Sequence, residues 1–179
     1  MSLHPSFVPA RTSPLQLEVL VALCDWNGFA RYCQGRTSAD IFAELNAFYL
    51  RTDQTVEAAG GLVIKFMGDA VLVVFPRELA GQGILTLVDY KKTTDAHFRE
   101  GQIACTFHVN CHFGEVTMGK MGHIERLDVI GDTVNRLAAM PCKTFGLTRE
   151  AFAQLSAEQQ RIFQPYAPPL FHLPEQYFA

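Results

Sequence analysis

Leu62-Val-Ile-Lys-Phe-Met-Gly-Asp-Ala-Val-Leu-Val-Val-Phe75 decides how this chain folds. Two apolar runs, 62–67 and 70–75, flank Gly68-Asp69, a pair suited to the tight turn of a β-hairpin. Pro76 ends the second run. Upstream, Gly60-Gly61 stops a helix that opens at an N-cap on Ser38 and runs to about Ala59. Ile41, Phe42, Leu45, Phe48 and Tyr49 recur along it at helical spacing. Further upstream, Leu17-Glu-Val-Leu-Val-Ala-Leu-Cys24 is an apolar run too brief for a helix and reads as a buried strand. Downstream, Ile84, Leu85, Leu87, Val88 and Lys91 carry an amphipathic helix to about Phe98. Strands are expected at 103–112 and 115–119, with a shorter one leading to Ile130. A helix from Thr133 to Met140 is stopped by Pro141. The order is βαββαβ, the split βαβ arrangement of ferredoxin-like α+β folds. A C-terminal extension adds a strand pair, a helix near 148–157 and a hairpin.

With 179 residues, 49% of them apolar, the chain supports one core, so residues 16–179 read as a single domain. Residues 1–15, with three prolines and no periodicity, read as a flexible arm. A net charge of −3 and a charged fraction of 18% argue against a nucleic-acid partner. The one adjacent basic pair, Lys91-Lys92, reads as a solvated helix face. No apolar run approaches the roughly 18 residues of a membrane span, and the N-terminus lacks a signal-peptide layout. The five cysteines are odd in number and without C-x-x-C spacing, as expected of reduced thiols in a cytoplasmic protein. His108 and His112 would suit a metal on a helix, but their segment reads as a strand, where they do not converge.

Three short motifs follow one another: Asp25-Trp-Asn-Gly-Phe29 after the first strand, Lys65-Phe-Met-Gly-Asp69 in the hairpin, and Asp128-Val-Ile-Gly-Asp-Thr-Val-Asn135. In this order they resemble the signature of the class III nucleotidyl cyclases, specifically the bacterial homodimeric type. Gly114-Glu-Val, Gly119-Lys-Met-Gly122 and Arg126-Leu-Asp-Val-Ile-Gly131 extend the resemblance over roughly residues 17–150. It implies closure of a nucleoside triphosphate into its 3′,5′-cyclic monophosphate.

Taken singly, Asp25 is a helix cap and Asp69 a turn residue. As a pair on neighbouring strands they suit two hard divalent ions, Mg2+ or Mn2+, which favour carboxylates plus substrate phosphates. The Trp26-to-Ala30 turn opens a helix whose free N–H groups suit a triphosphate, with Gly28 allowing close approach and Phe29 following it. Lys65 interrupts an apolar strand; it either faces solvent on an edge strand or has a partner. The resemblance places it against the purine, with Asp128 beside it. A donor and an acceptor fit the adenine edge of ATP, and guanine would leave both unsatisfied. Asn135, a poor helix former, is the family's ribose-positioning residue. In the resemblance, Asp25 and Asp69 of one protomer meet Lys65, Asp128 and Asn135 of the other across a homodimer interface.

The chain also departs from the family. Where active cyclases place an arginine one turn past the asparagine, it carries Ala139, and the neighbouring Arg136 does not present the same face of the helix. Loss of such a donor costs on the order of 10²–10³ in rate. The C-terminal Ala167-Pro-Pro-Leu-Phe-His-Leu-Pro174 lacks the family's lysine, with His172 as its one basic residue, and Ala30 replaces a threonine. Three accounts stand open: an arginine from elsewhere in the dimer (Arg31, Arg51 or Arg126), a slow enzyme, or a nucleotide-binding regulatory module without turnover. A diguanylate cyclase is disfavoured, because the hairpin is Met-Gly-Asp with no Gly-Gly-acidic-acidic-Phe turn. The bare length also suits a piece of a longer signalling protein regulated by another domain.

Overall fold

Strand β1 (Leu15–Asn27) is paired along both edges in the computed structural model, which describes residues 3–141, 144–167 and 169–178. On one side it runs antiparallel to β3 (Ala70–Pro76), which pairs with β2 (Leu62–Met67) through the expected hairpin. On the other it runs antiparallel to β4 (Thr106–Met121) for its whole length. Beyond β4 come β6 (Phe145–Leu147), then β8 (Leu170–Leu173) and β7 (Gln164–Tyr166), giving the order β2-β3-β1-β4-β6-β8-β7. β5 (Arg126–Ile130) pairs with β4 as the return of a hairpin. The first four strands are the ferredoxin-like core expected from the sequence.

Alternation along β1 sends its side chains into two cores. Leu20, Ala22, Cys24 and Trp26 face helices α2 (Ser38–Ala58) and α3 (Ala80–Glu100), meeting Phe48, Val56, Ile84 and Leu87. Trp26 centres an aromatic cluster, 4.6 Å from Phe98 and 5.1 Å from Phe48 between ring centroids. Such edge-to-face contacts add to area burial. Val19 and Val21 face the other way, toward Val116, Met118, Val129 and Leu137, the last from helix α4 (Asp132–Ala138). The same alternation turns Asp25 onto this second face.

Several details differ from the sequence reading. The segment expected as a flexible arm forms a 3-10 helix over Pro5–Arg11 whose Phe7 is fully buried in the second core, with Ser6 Oγ bonded to Glu78 Oε1 at 2.6 Å. Its prolines fix backbone dihedrals, and Phe7 supplies the apolar anchor. α2 is capped by Thr37 in a reciprocal box with Asp40, one residue before the expected cap. β4 is one strand where two were expected. Gly114 does not break it; a Cβ there would lie 2.7 Å from Thr133 Oγ1, so the glycine makes room for α4. Lys91 is 3% exposed, contrary to a solvated face. It pairs with Asp95 at 2.7 Å, donates to the Phe107 carbonyl, and lies 4.5 Å from the Phe178 ring centroid. The helix expected near 148–157 is two short ones, α5 (Arg149–Phe152) and α6 (Ala157–Gln160). Cys24, Cys33, Cys105 and Cys111 are free thiols; Cys142 lies outside the described residues.

Candidate active site

Lys65 owes its position to a β-bulge. The register runs Val63 to Val73 and then Lys65 to Leu72, leaving Ile64 as an extra residue. Ile64 faces the second core and Phe66 the first, so Ile64 and Lys65 lean to the same side, as bulged pairs do. That direction carries Lys65 to β5. Its Nζ donates to both carboxylate oxygens of Asp128, at 2.8 and 2.7 Å. Asp128 Oδ1 also accepts the Val129 N–H at 2.8 Å. The lysine is therefore not a solitary edge charge. The pair lines a cleft of about 500 Å³ whose other walls include Asp53 of α2, Val63, Phe66 and Arg126. An ammonium has three donors; two meet Asp128, and one remains for a ligand.

Sequence reading missed Asp53, and it left Arg126 among the phosphate-facing alternatives. Strand alternation would have placed Arg126, since residues 126 and 128 of one strand share a face. Burial and the charge of Glu57 raise the Asp53 carboxyl above its usual range.

Asp25 and Asp69 form a second locus, which does not line that cleft. Asp69 sits at the tip of the β2–β3 hairpin, where Gly68 adopts a φ of +70°. Tyr49 fixes the tip from α2: its hydroxyl donates to Gly68 O at 2.9 Å, and its ring stacks on Phe66 at 3.8 Å. The N–H groups of Asp69 itself and of Trp26 face the Asp69 carboxylate, tying it to the end of β1 beside Asp25. Both carboxyls are pushed up by burial, that of Asp25 further by the negative charge of Asp69. Neither has a cationic partner among the described residues. Two half-buried, mutually repelling carboxylates make a hard-oxygen donor set that fits Mg2+ or Mn2+. Among the described residues no group of three or more His, Cys, Asp or Glu gathers to hold a metal.

Gly28, beside Asp25, has a φ of +98°, and a Cβ there would lie 2.9 Å from Ala104 O. Glycine is required on both counts. It precedes the single-turn helix α1 (Phe29–Tyr32). The Phe29 ring packs edge-on against Trp26 at 5.7 Å, so its side chain serves the core while its backbone opens the turn.

Asn135 lies exposed on α4 and Ala139 exposed at its C-cap, and the Asn135 side chain has no hydrogen-bond partner among the described residues. Arg136 reaches toward Glu150 at 4.0 Å. Of the other arginines, Arg51 lies 3.7 Å from Glu44, and Arg31 acts electrostatically on Cys105, a thiol that also feels Asp69. His172 is on β8, opposite Gly146, with its ring 4.7 Å from Tyr166.

No family model matches the chain. It is similar to an adenylate cyclase of Anabaena cylindrica, 25% identical over 140 residues that cover 73% of this chain and 27% of that protein. It is also similar to the receptor-type guanylate cyclase gcy-23 of Caenorhabditis elegans, 27% identical over 143 residues, 74% of this chain and 13% of the relative. The chain thus spans about a quarter or less of these relatives. The crystal structure of the adenylyl cyclase CyaB from P. aeruginosa superposes with a TM-score of 0.76 at 16% identity, covering 91% of this chain and 96% of that one. No helix among the described residues is long and apolar enough to cross a membrane. With the ordered motifs and the four-stranded core, these likenesses support a class III nucleotidyl cyclase domain, and the structural match supports its fold.

Proposed function

We propose that this domain converts ATP to 3′,5′-cyclic AMP and pyrophosphate at a site shared by two copies of the chain. The observation that carries the reading is the Lys65–Asp128 pair in its cleft. The spare N–H of Lys65 meets adenine N1, and Asp128 accepts from the 6-amino group. Guanine presents O6 and N1–H in the opposite sense and leaves both groups unpaired once the nucleotide covers them, at roughly 1–3 kcal/mol each.

Asp25 and Asp69 would hold Mg2+ or Mn2+ at the polyphosphate end. Two such ions would supply activation of the attacking 3′ oxygen and neutralisation of the departing pyrophosphate. Gly28 lets the backbone after β1 come close to the phosphates, and Asn135 orients the ribose. The cleft holding Lys65 and Asp128 does not include Asp25 or Asp69, which supports a site completed by a second protomer. The proposed setting is cytoplasmic, within a longer signalling protein.

The test is chromatographic detection of cyclic AMP and cyclic GMP after incubation with Mn2+ and each triphosphate. Cyclic AMP in excess supports the reading; excess cyclic GMP overturns the substrate assignment. Mixing Asp69→Ala with Lys65→Ala protein should restore part of the activity each lacks, and silence from the mixture overturns the shared site. A second reading, a nucleotide-binding regulatory module without turnover, is favoured by Ala139. Nucleotide binding without product would decide for it.

A further inference from the structure

Arg136 is the one cationic residue of α4. It follows Asn135 directly and precedes Ala139 by three residues, which puts it roughly 60° round the helix from position 139. Residues three apart are surface neighbours, so its long side chain starts beside the Asn135–Ala139 face.

Its present partner is a weak one. Arg136 Nη1 lies 4.0 Å from Glu150 Oε1, and the two side chains are 64% and 51% exposed. A pair this long and this exposed restrains little. Glu150 has other company: its Oε2 is 3.8 Å from His112 Nδ1, which in turn is 2.8 Å from Thr148 Oγ1. Burial raises the Glu150 carboxyl, but its own N–H, the Thr148 hydroxyl and the charges of His112 and Arg136 bring it below its usual range. The carboxylate therefore keeps stabilising contacts when the guanidinium leaves. The other candidate cations stand elsewhere: Lys65 is on Asp128, Arg126 lines the purine-side cleft, Arg51 is on α2 with Glu44 3.7 Å away, and Arg31 is on α1.

We propose that Arg136 is a triphosphate-binding residue, parked on Glu150 until nucleotide arrives, and that exchange of its guanidinium from carboxylate to phosphate accompanies binding. The proposal rests on the cyclase reading and adds to it the residue that meets the phosphate charge in a chain with alanine at 139. A guanidinium suits that task because its donors match phosphate oxygens in pairs.

The test measures, by calorimetric titration with Mn2+, the affinity for ATP and for adenosine. The ratio of the two isolates the phosphate contribution from any loss of fold or of purine contacts. Arg136→Ala should lower the ATP-to-adenosine ratio roughly tenfold or more, the scale of one hydrogen bond to a charged group. Arg136→Lys should recover part of it, and Glu150→Gln should raise it roughly two- to threefold by removing the competitor. An unchanged ratio in Arg136→Ala overturns the proposal and leaves the cyclase reading standing. If the wild type binds neither ligand, the cyclase reading falls and this proposal falls with it. If it binds ATP without making cyclic AMP, the ratio still decides.

Discussion

Lys65 and Asp128, 63 residues apart in sequence, are joined by two hydrogen bonds from one ammonium to both oxygens of one carboxylate. Their effects on turnover should therefore be coupled. Lys65→Ala and Asp128→Ala are each expected to cost roughly 1–3 kcal/mol in ATP turnover. The double variant should fall well short of the sum, because the second substitution removes a group already without its partner. A double-mutant cycle on kcat/KM with ATP checks this, and simple additivity would show that the two act separately.

Asp25 and Asp69 repel each other in the metal-free protein. A carboxyl whose folded pKa is raised destabilises the fold at neutral pH, and the penalty fades as pH falls through that raised value. Asp69→Asn should thus melt at a higher temperature than wild type in chelator at pH 7, with the gain shrinking in acid. Adding Mn2+ should reverse the order, since only the wild type retains both carboxylates. Thermal melts with and without the ion measure both effects.

His112 should weaken the protein on acidification. Burial pushes its imidazole below the usual range, helped by Arg136 and opposed by Glu150. Its contribution is fully present above the unfolded value, about 6.5, and is lost progressively as pH falls toward the folded one. His112→Gln, which keeps a polar partner for Thr148, should flatten the stability profile below pH 6.5 in urea titrations.

Removing one member of the buried Lys91–Asp95 pair should be costly. Asp95 Oδ1 also accepts the Phe107 N–H at 2.7 Å, so a Lys91→Ala chain leaves a buried carboxylate with half its partners. The expected loss is about 3–5 kcal/mol by chemical denaturation. Lys91→Met with Asp95→Asn should be milder, because no charge is stranded.

The core strand order was legible because its signals are local: apolar runs, a Gly-Asp turn and helical spacing. Lys65 stands out because it breaks an apolar strand, whereas Asp25, Asp69 and Asp128 are ordinary residues singly and are picked out only by the resemblance of the three ordered motifs. What escaped depends on distant contacts. The burial of Lys91 is settled by Asp95 beside it together with Phe107 and Phe178 from elsewhere, none of which a helix wheel weighs. The docking of residues 5–11 depends on a pocket for Phe7 built by strands beyond it. Gly114 reads as a strand breaker until α4 is seen lying against it. The place of Asp53 in the cleft is likewise set by how α2 lies on β2.

The notch at Gly114 has a mechanical consequence. With Thr133 seated where a side chain would stand, and its hydroxyl 2.6 Å from Glu115 O, α4 is keyed against sliding along β4. Asn135 and Arg136 share that helix and so travel with it. Any adjustment that brings them closer to a ligand must tilt the hairpin and helix as one body, and even a methyl group at position 114 would wedge that body outward.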